Sequence, residues 1–148
     1  MNKVLLSSVR MDWGTPQEFY NELNTEFSFT LDPCASHENA KCEKYYTTND
    51  DGLAQSWRGE RVFCNPPYGR VIGKWVKKCA ESDADVVVML IPARTDTRWF
   101  HDYIYGSAEI RFIRGRLKFT NKSIADFTGN SKTSPAPFPS MVVVFRRP

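Results

Sequence analysis

The chain has 148 residues, of which 41% are hydrophobic and 25% are charged, and its net charge is +3. This length suits one domain with a core and leaves little room for a second. The ordinary hydrophobic share excludes a disordered chain. A charge of +3 is too small to hold nucleic acid by charge alone, although it permits such a partner if the surplus lies on one face.

Membrane insertion and cysteine chemistry are not expected to define this protein. No apolar stretch approaches the ~20 residues of a membrane span, and the first 14 residues have too short an apolar core for a secretory signal. We therefore expect a cytoplasmic protein. The cysteines form no Cys-x-x-Cys pair, which argues against a disulfide framework or a zinc finger. Cys34, His37 and Cys42 lack a fourth ligand, so no metal site is predicted.

The first predicted element is a helix over 15–27. Thr15 is its candidate N-cap, and Pro16 suits the first helical position. Apolar residues then recur at helical spacing: Phe19, Tyr20, Leu23 and Phe27.

A strand is predicted over 27–33, where apolar residues alternate until Asp32 and Pro33 stop the pattern. Residues 34–60 are polar, contain the turn sequence "NDDG" and have weak periodicity. For this stretch we expect a long irregular connection with one short helix.

The second half alternates strands and helices. Residues 61–65 predict a short strand, and "VIGKWVKKCAES" predicts a helix with one apolar face. Residues 85–93 form a continuous apolar run, typical of a strand covered on both faces. "TDTRWFHDYIYG" predicts a helix capped near Thr95 and ended by Gly106. "AEIRFIRGRLKF" and "PSMVVVFRRP" predict two last strands, separated by a polar segment over 120–138.

This order of elements predicts an α/β domain whose sheet is parallel at its centre and antiparallel at one edge. In open α/β sheets the ligand crevice lies outside the carboxyl ends of the strands. Asp32, Asn65 and residues 92–94 each follow a strand candidate directly. We therefore expect these residues to share one rim.

The sequence Asn65-Pro66-Pro67-Tyr68 has the chemistry of an amine-binding turn. Prolines have no backbone donor and fix φ, so the nearby carbonyls are free to accept. The Asn65 amide oxygen and the Pro66 carbonyl could each take one N–H of an exocyclic amine and turn its lone pair toward an electrophile. Tyr68 offers a flat surface for the attached ring. The alternative is a proline-rich turn in which Asn65 bonds its own backbone and Tyr68 packs in the core.

This turn resembles the catalytic motif of S-adenosylmethionine-dependent amino-methyltransferases, which reads Asp or Asn, Pro, Pro, then Tyr or Phe. The motif alone fits enzymes that act on adenine-N6, cytosine-N4, guanine-N2 or glutamine-N5. The chain is similar, over roughly residues 12–147, to the small phage and prophage DNA N6-adenine methyltransferases. The segments that carry this resemblance are "DWGTPQEFYNELNTEF", "FTLDPCAS", "DGLAQSWRGERVFCNPPYGR", "LIPARTDTRWFHDYI" and "IRFIRGRLKF".

The resemblance implies a single-domain, Rossmann-like methyltransferase fold over residues 1–148, without a separate target-recognition domain. It implies methyl transfer from S-adenosylmethionine to a flipped-out adenine of double-stranded DNA, in the cytoplasm of a bacterial host cell. Two alternatives stay open. One is an amino-methyltransferase that acts on RNA or on a protein glutamine, and the other is a non-catalytic nucleic-acid-binding module of the same fold.

The resemblance also assigns residues to the reaction. The implied catalytic residues are Asn65, Pro66, Pro67 and Tyr68. The implied cofactor-binding residues are Thr15 and Pro16 at the cofactor carboxylate, Asp32, Pro33, Cys34 and Ala35 in the loop after the first strand, and Asp51, or its neighbour Asp50, at the adenosine. A departure from the class is that this loop has no Gly-rich Phe-x-Gly-x-Gly pattern.

Loops are the candidates for contact with DNA. The mixture of cations and hydrogen-bonding side chains in "RGRLKFTNKSIADFTGNSKTSPAPF" suits phosphates and base edges, and its alternative is a solvated loop. Arg94 and Arg98 form a second basic pair near the predicted rim, which could instead form ion pairs with Asp96 and Asp102. The predicted DNA-binding residues are Arg94, Arg98, Arg114, Arg116 and Lys118.

Overall fold

The computed structural model describes residues 14–120 and 133–147. Within them a main sheet contains β1 (Leu31–Asp32), β2 (Lys44–Tyr45), β3 (Arg61–Cys64), β4 (Val86–Pro92), β5 (Glu109–Phe112) and β8 (Ser140–Arg146). A separate antiparallel pair consists of β6 (Lys118–Thr120) and β7 (Thr133–Pro135). The α-helices are α1 (Gln17–Phe27) and α2 (Ile72–Glu81), and shorter turns are a 3₁₀ turn (Gly52–Ala54) and a π-helical turn (Phe100–Ile104).

The main sheet has the strand order β2-β1-β3-β4-β8-β5. The first four strands of this order are parallel, and β8 runs antiparallel to both β4 and β5. The prediction of an α/β fold with a mostly parallel sheet and an antiparallel C-terminal edge is therefore confirmed. The chain goes outward from β1 to β2 and then returns to β3 on the other side of β1. The strand order thus reverses between β1 and β3, which is where ligands bind in sheets of this kind.

Strand β4 lies at the centre of the core, as its unbroken apolar run predicts. Val87, Met89 and Ile91 pack on one face with Trp75 and Val76 of α2. Val88 and Leu90 pack on the other face with α1. Because both faces are covered, every residue from 87 to 92 is buried. The predicted apolar face of α2 is confirmed as well, since all four of its residues are buried: Ile72, Trp75, Val76 and Cys79.

Several predicted elements differ from those observed. The strand predicted over 27–33 shrinks to β1, because Ser28 ends α1 in the left-handed region, at φ 53°. Strand β2 was not predicted, whereas the short helix in the same connection is confirmed as the 3₁₀ turn. Gly115, at φ 75°, lies between β5 and β6, so the segment predicted as one strand supplies two strands in different sheets.

The helix predicted after β4 begins differently from expectation. The cap position of the π-helical turn is Trp99, and no side chain caps the turn. The Thr97 hydroxyl, and not that of Thr95, accepts the backbone N–H of Phe100 at 3.3 Å. Gly106 follows the turn with φ 81°, as its predicted end requires. Residues 121–132 of the predicted polar segment, and the N-terminal stretch over 1–13, lie outside the described residues. In the described part of the chain, no helix is long and apolar enough to cross a membrane.

Candidate active site

The carboxyl ends of β1, β3 and β4 lie at the same edge of the sheet, because these strands are parallel. This places Asp32, Asn65 and residues 92–94 on one rim, as the sequence predicts. A cavity opens at this rim, at the point where the strand order reverses. Its lining brings predicted residues together with others that the sequence did not indicate: Gly14, Thr15, Asp32, Cys34, Asn39, Lys41, Phe63 and Asn65.

The Asn65 amide is held at both ends by side chains. Its Nδ2 donates to the Thr15 hydroxyl oxygen at 2.8 Å. Its Oδ1 accepts the Tyr68 hydroxyl at 2.5 Å, and the same hydroxyl lies 3.0 Å from the Leu90 carbonyl oxygen in β4. The half-buried amide therefore occupies a defined plane at the end of β3.

Thr15 is not the N-cap of α1, which corrects the sequence prediction. Pro16 stands at the cap position with extended backbone, at φ −58° and ψ 133°, and no side chain caps the helix. Its carbonyl accepts the Tyr20 N–H at 3.1 Å. Thr15 is 5% exposed, and its hydroxyl oxygen accepts a hydrogen bond from the Asn65 amide instead of from a backbone N–H of the helix.

Tyr68 packs in the core in this structure. It is 5% exposed, and burial raises the pKa of its hydroxyl well above the ordinary value, which keeps the hydroxyl a donor. Its ring meets those of Phe138 and Phe119 edge-on, with centroids 5.5 and 6.4 Å away. These two rings therefore occupy part of the space around the Tyr68 ring.

Asp32 places a buried carboxyl group in the cavity. It is 4% exposed, and burial raises its pKa to about 6, against the opposing hydrogen bonds from the backbone of Lys41 and Cys34. The Lys41 N–H lies 3.0 Å from Oδ2. A desolvated carboxylate of this kind favours a positively charged partner.

The loop after β1 has no Gly-rich turn and bends at Pro33 and Cys34. The Asp32 carbonyl accepts the Tyr46 N–H at 3.0 Å, and the Ala35 N–H donates to the Tyr46 carbonyl at 2.9 Å. These bonds continue the ladder between β1 and β2 past the strand ends. Unpredicted β2 is therefore the element that holds Asp32, Pro33, Cys34 and Ala35 at the rim.

Asn39 and Lys41 were missed as cavity residues. The Asn39 side chain accepts the Ser36 N–H at 2.8 Å, and the Ser36 hydroxyl accepts the Asn39 N–H at 3.3 Å. This reciprocal turn brings Lys41 back to Asp32. The available sequence signal was the Ser-x-x-Asn spacing, which is typical of such turns.

The 3₁₀ turn packs directly on the loop after β1. A Cβ atom on Gly52 would lie 2.1 Å from the Pro33 carbonyl oxygen, so this position accepts only glycine. Asp51 precedes it with an exposed side chain and a left-handed backbone, at φ 55°. The Asp50 carboxylate instead accepts the N–H and hydroxyl of Thr47 at 2.9 and 3.1 Å, which is the role of a turn residue.

The predicted DNA-binding residues are all exposed: Arg94, Arg98, Arg114, Arg116 and Lys118. Within residues 14–120 and 133–147, none of them forms an ion pair, so the alternative pairing with Asp96 and Asp102 is not observed. Arg94 follows β4 at the rim. In the same ranges, no group of three or more His, Cys, Asp or Glu side chains could hold a metal ion.

The strand order, with a crevice between β1 and β3 and an Asn-Pro-Pro-Tyr turn on its rim, defines a Rossmann-like ligand-binding domain. A family model described as "DNA N-6-adenine-methyltransferase (Dam)" matches residues 3–148. The chain belongs to this family.

Two phage proteins and one solved structure are similar to the chain. A DNA N-6-adenine-methyltransferase of Escherichia phage T1 is 36% identical over 114 residues, which are 74% of this chain and 48% of that protein. The chain thus spans about half the length of this relative. A protein of the same name from Haemophilus phage HP1 is 28% identical over 138 residues, 90% of this chain and 77% of that protein. The crystal structure of a putative RNA methyltransferase from Pyrococcus horikoshii has a TM-score of 0.47 at 16% identity, and the match covers 71% of this chain and 52% of that one.

Proposed function

We propose that the protein is a DNA adenine-N6 methyltransferase, which transfers a methyl group from S-adenosylmethionine to the exocyclic amine of an adenine. The observation that carries the proposal is the Asn65 amide, held between Thr15 and Tyr68 at the crevice where the strand order reverses. Family membership and the names of the two phage relatives support the same reaction.

The cavity residues fit a cofactor that carries both a carboxylate and a positive charge. The buried carboxyl of Asp32 favours a cation, and the Thr15 hydroxyl has a hydrogen that can bind a carboxylate. In this proposal Thr15 and Pro16 hold the cofactor carboxylate, the loop residues Pro33, Cys34 and Ala35 line its methionine part, and Asp51 bonds the adenosine. When bound, S-adenosylmethionine supplies an electrophilic methyl carbon on a sulfonium.

Asn65 and Pro66 bind and orient the amine. Asn65 Oδ1 has two lone pairs, so it can accept one amine N–H while it keeps the Tyr68 hydroxyl. Pro66 is buried, and its carbonyl accepts the second N–H, while Pro67 adds rigidity to the turn. Two acceptors on one planar amine localise its lone pair and aim it at the methyl carbon, which is catalysis by orientation. The proton leaves to water or to a nearby acceptor.

The adenine has to leave its duplex to reach this turn, because the N6 group is not accessible in a base stack. Unstacking costs a few kcal/mol, and stacking on an aromatic ring returns ~1–3 kcal/mol. We propose Tyr68 as that ring. Phe119 and Phe138 contact this ring, and in this proposal base entry moves at least one of them aside.

The exposed cations on the described surface are proposed to contact double-stranded DNA. Phosphate contacts position a protein on DNA and come mostly from Arg and Lys. Arg94 lies at the rim itself. Lys118 is the first residue of β6, and its neighbour Phe119 contacts Tyr68. Contacts in these places would orient the duplex over the Asn65 turn. We further propose that the protein acts in the cytoplasm of a bacterial host, which the phage origin of its relatives supports.

The test is methyl transfer from labelled S-adenosylmethionine to unmethylated plasmid DNA, total RNA and a protein extract, offered separately. DNA should take up the label. After digestion to nucleosides, the label should co-elute with N6-methyl-2′-deoxyadenosine. Label only in RNA or in glutamine would contradict the proposed substrate. Cofactor binding without transfer to any of the three, measured by calorimetry, would favour a non-catalytic module.

A further inference from the structure

Strand β5 forms one edge of the main sheet, and its only neighbour among the described strands is β8. The Ile113 N–H donates to the Ser140 carbonyl at 3.1 Å, which continues the antiparallel register of β5 with β8. Hydrogen-bonded pairs alternate along such a ladder, so the N–H and C=O groups of Ile110 and Phe112 point away from β8. Within the described part of the chain, these outward groups have no hydrogen-bond partner.

The side chains of β5 alternate between two faces of different chemistry. Ile110 and Phe112 lie on the apolar face, where Ile110 packs against the core and Phe112 is 65% exposed. Glu109 and Arg111 lie on the opposite face and form an ion pair with each other. An edge strand with unpaired backbone groups is a template for another strand, and here an exposed aromatic ring lies beside it.

The charges of β5 are self-complementary in one antiparallel register. When Ile110 lies opposite Ile110 of a second copy, Glu109 of each copy lies opposite Arg111 of the other, and opposite charges across strands are stabilising. A register centred on Arg111 also uses the outward backbone groups, but it places two guanidinium groups opposite each other, which is destabilising. A register centred on Phe112 gives neither charge an opposite partner. The side chains therefore select the register centred on Ile110.

We propose that β5 pairs with β5 of a second copy, antiparallel and centred on Ile110, to form a symmetric dimer with one continuous sheet. Phe112 of each copy then lies opposite the small side chain of Ala108 of the other and is removed from water. Strands β4 and β8 lie between β5 and the strands of the candidate site, so the dimer leaves both sites uncovered. Dimer formation does not depend on the proposed reaction.

The first test is sedimentation equilibrium of the full chain over a roughly hundredfold range of concentration, because the fraction of a reversible dimer rises with concentration. Strand β5 has 4 residues, so we expect weak association through a small interface. Phe112→Lys should raise the dissociation constant at least about tenfold, since an edge lysine opposes strand pairing. Val71→Lys is the matched control, because Val71 is also an exposed apolar residue but precedes α2. A protein that stays monomeric throughout, or equal dissociation constants for the two variants, would overturn the proposal.

The second test uses charge to identify the register. Glu109→Arg gives a chain with two cations at the paired positions, and Arg111→Glu gives a chain with two carboxylates there. Each variant alone should associate at least about tenfold more weakly than the unaltered protein, and an equimolar mixture should recover the association. If thermal melts show that both variants are folded and the mixture does not recover, the register is wrong.

The third test does not depend on charge. Ile110→Cys places a thiol opposite its counterpart at the Cα separation of about 5.5 Å of hydrogen-bonded antiparallel pairs, which a disulfide can span. Oxidised glutathione should therefore link this variant into a covalent dimer, seen on non-reducing electrophoresis. Arg111→Cys is the control, because its thiol would lie opposite Glu109 and should give at least about tenfold less covalent dimer. Equal cross-linking of the two variants would contradict the proposed pairing.

Discussion

Gly52 and Pro33 are in backbone contact, although they lie on two different loops. A Cβ atom on Gly52 would lie 2.1 Å from the Pro33 carbonyl oxygen and 3.1 Å from the Trp75 ring. Trp57 also holds this turn, through a 3.0 Å hydrogen bond from its indole to the Gly52 carbonyl. The 3₁₀ turn is therefore a fixed support for the loop that follows Asp32.

Gly52→Ala should displace this loop. Overpacking against backbone costs about 1–3 kcal/mol of the free energy of unfolding, and cofactor affinity should fall with it. Urea denaturation and calorimetry measure the two quantities. Gly73→Ala is the control, because its Cβ would meet Trp99 at an ordinary 3.6 Å and alanine suits a helix better than glycine. Equal behaviour of the two variants would show that the Pro33 contact is unimportant.

The buried carboxyl of Asp32 should make stability depend on pH in a defined direction. Its folded pKa of about 6 lies above its ordinary value of 3.8, so the folded state binds the proton more tightly. The resulting stabilisation is fully present below about pH 4 and is lost as the pH rises through about 6. Its size is on the order of 2–3 kcal/mol.

The difference between the unaltered protein and Asp32→Asn isolates this effect. Urea denaturation from pH 4 to pH 7.5 should show that the stability of the unaltered protein falls relative to the variant across this window. Asp96→Asn, at an exposed position, controls for loss of a charge. Parallel curves for the unaltered protein and Asp32→Asn would mean that Asp32 is not desolvated in the folded protein.

Arg94 at the rim and Lys118 in β6 should contribute phosphate contacts. Arg94→Ala and Lys118→Ala should each weaken DNA binding about equally for all sequences and reduce the slope of log affinity against log salt by about 1. Arg58→Ala is the matched control, since Arg58 is exposed but precedes the amino end of β3, opposite the rim. Fluorescence anisotropy between 50 and 200 mM salt measures the slopes. If only the Arg58 variant changed the slope of log affinity against log salt, the DNA would bind at another face of the protein, which would contradict this prediction.

Local patterns predicted the elements whose side chains repeat on one buried face. The run in β4 and the helical spacing of Ile72, Trp75, Val76 and Cys79 each indicate the burial that is observed. Strand β2 has only two residues and no alternation of its own. It forms because Leu31 and Asp32 pair with it, which no local window contains.

At the candidate site, too, the sequence predicted what local patterns determine and missed the long-range contacts. The rim was predictable, because polar residues that end parallel strands must meet at one edge. The contact of Thr15 with Asn65 was not predictable, because the local signals at Thr15 indicate a helix cap while Asn65 is 50 residues away. The packing of Tyr68 likewise depends on Phe119 and Phe138, which the turn sequence does not contain.

The most direct test of the central claim is Asn65→Ala in a single-turnover transfer assay, with S-adenosylmethionine binding followed by calorimetry. The account predicts that N6-methyladenine formation in DNA falls by at least about a hundredfold, a loss typical for groups that orient a reacting atom, while cofactor affinity stays nearly unchanged. Asn65→Asp, which keeps an acceptor oxygen, should retain measurable transfer. Undiminished methylation by Asn65→Ala, or an equal loss of cofactor binding and transfer, would contradict the assignment of Asn65 as the residue that binds the amine.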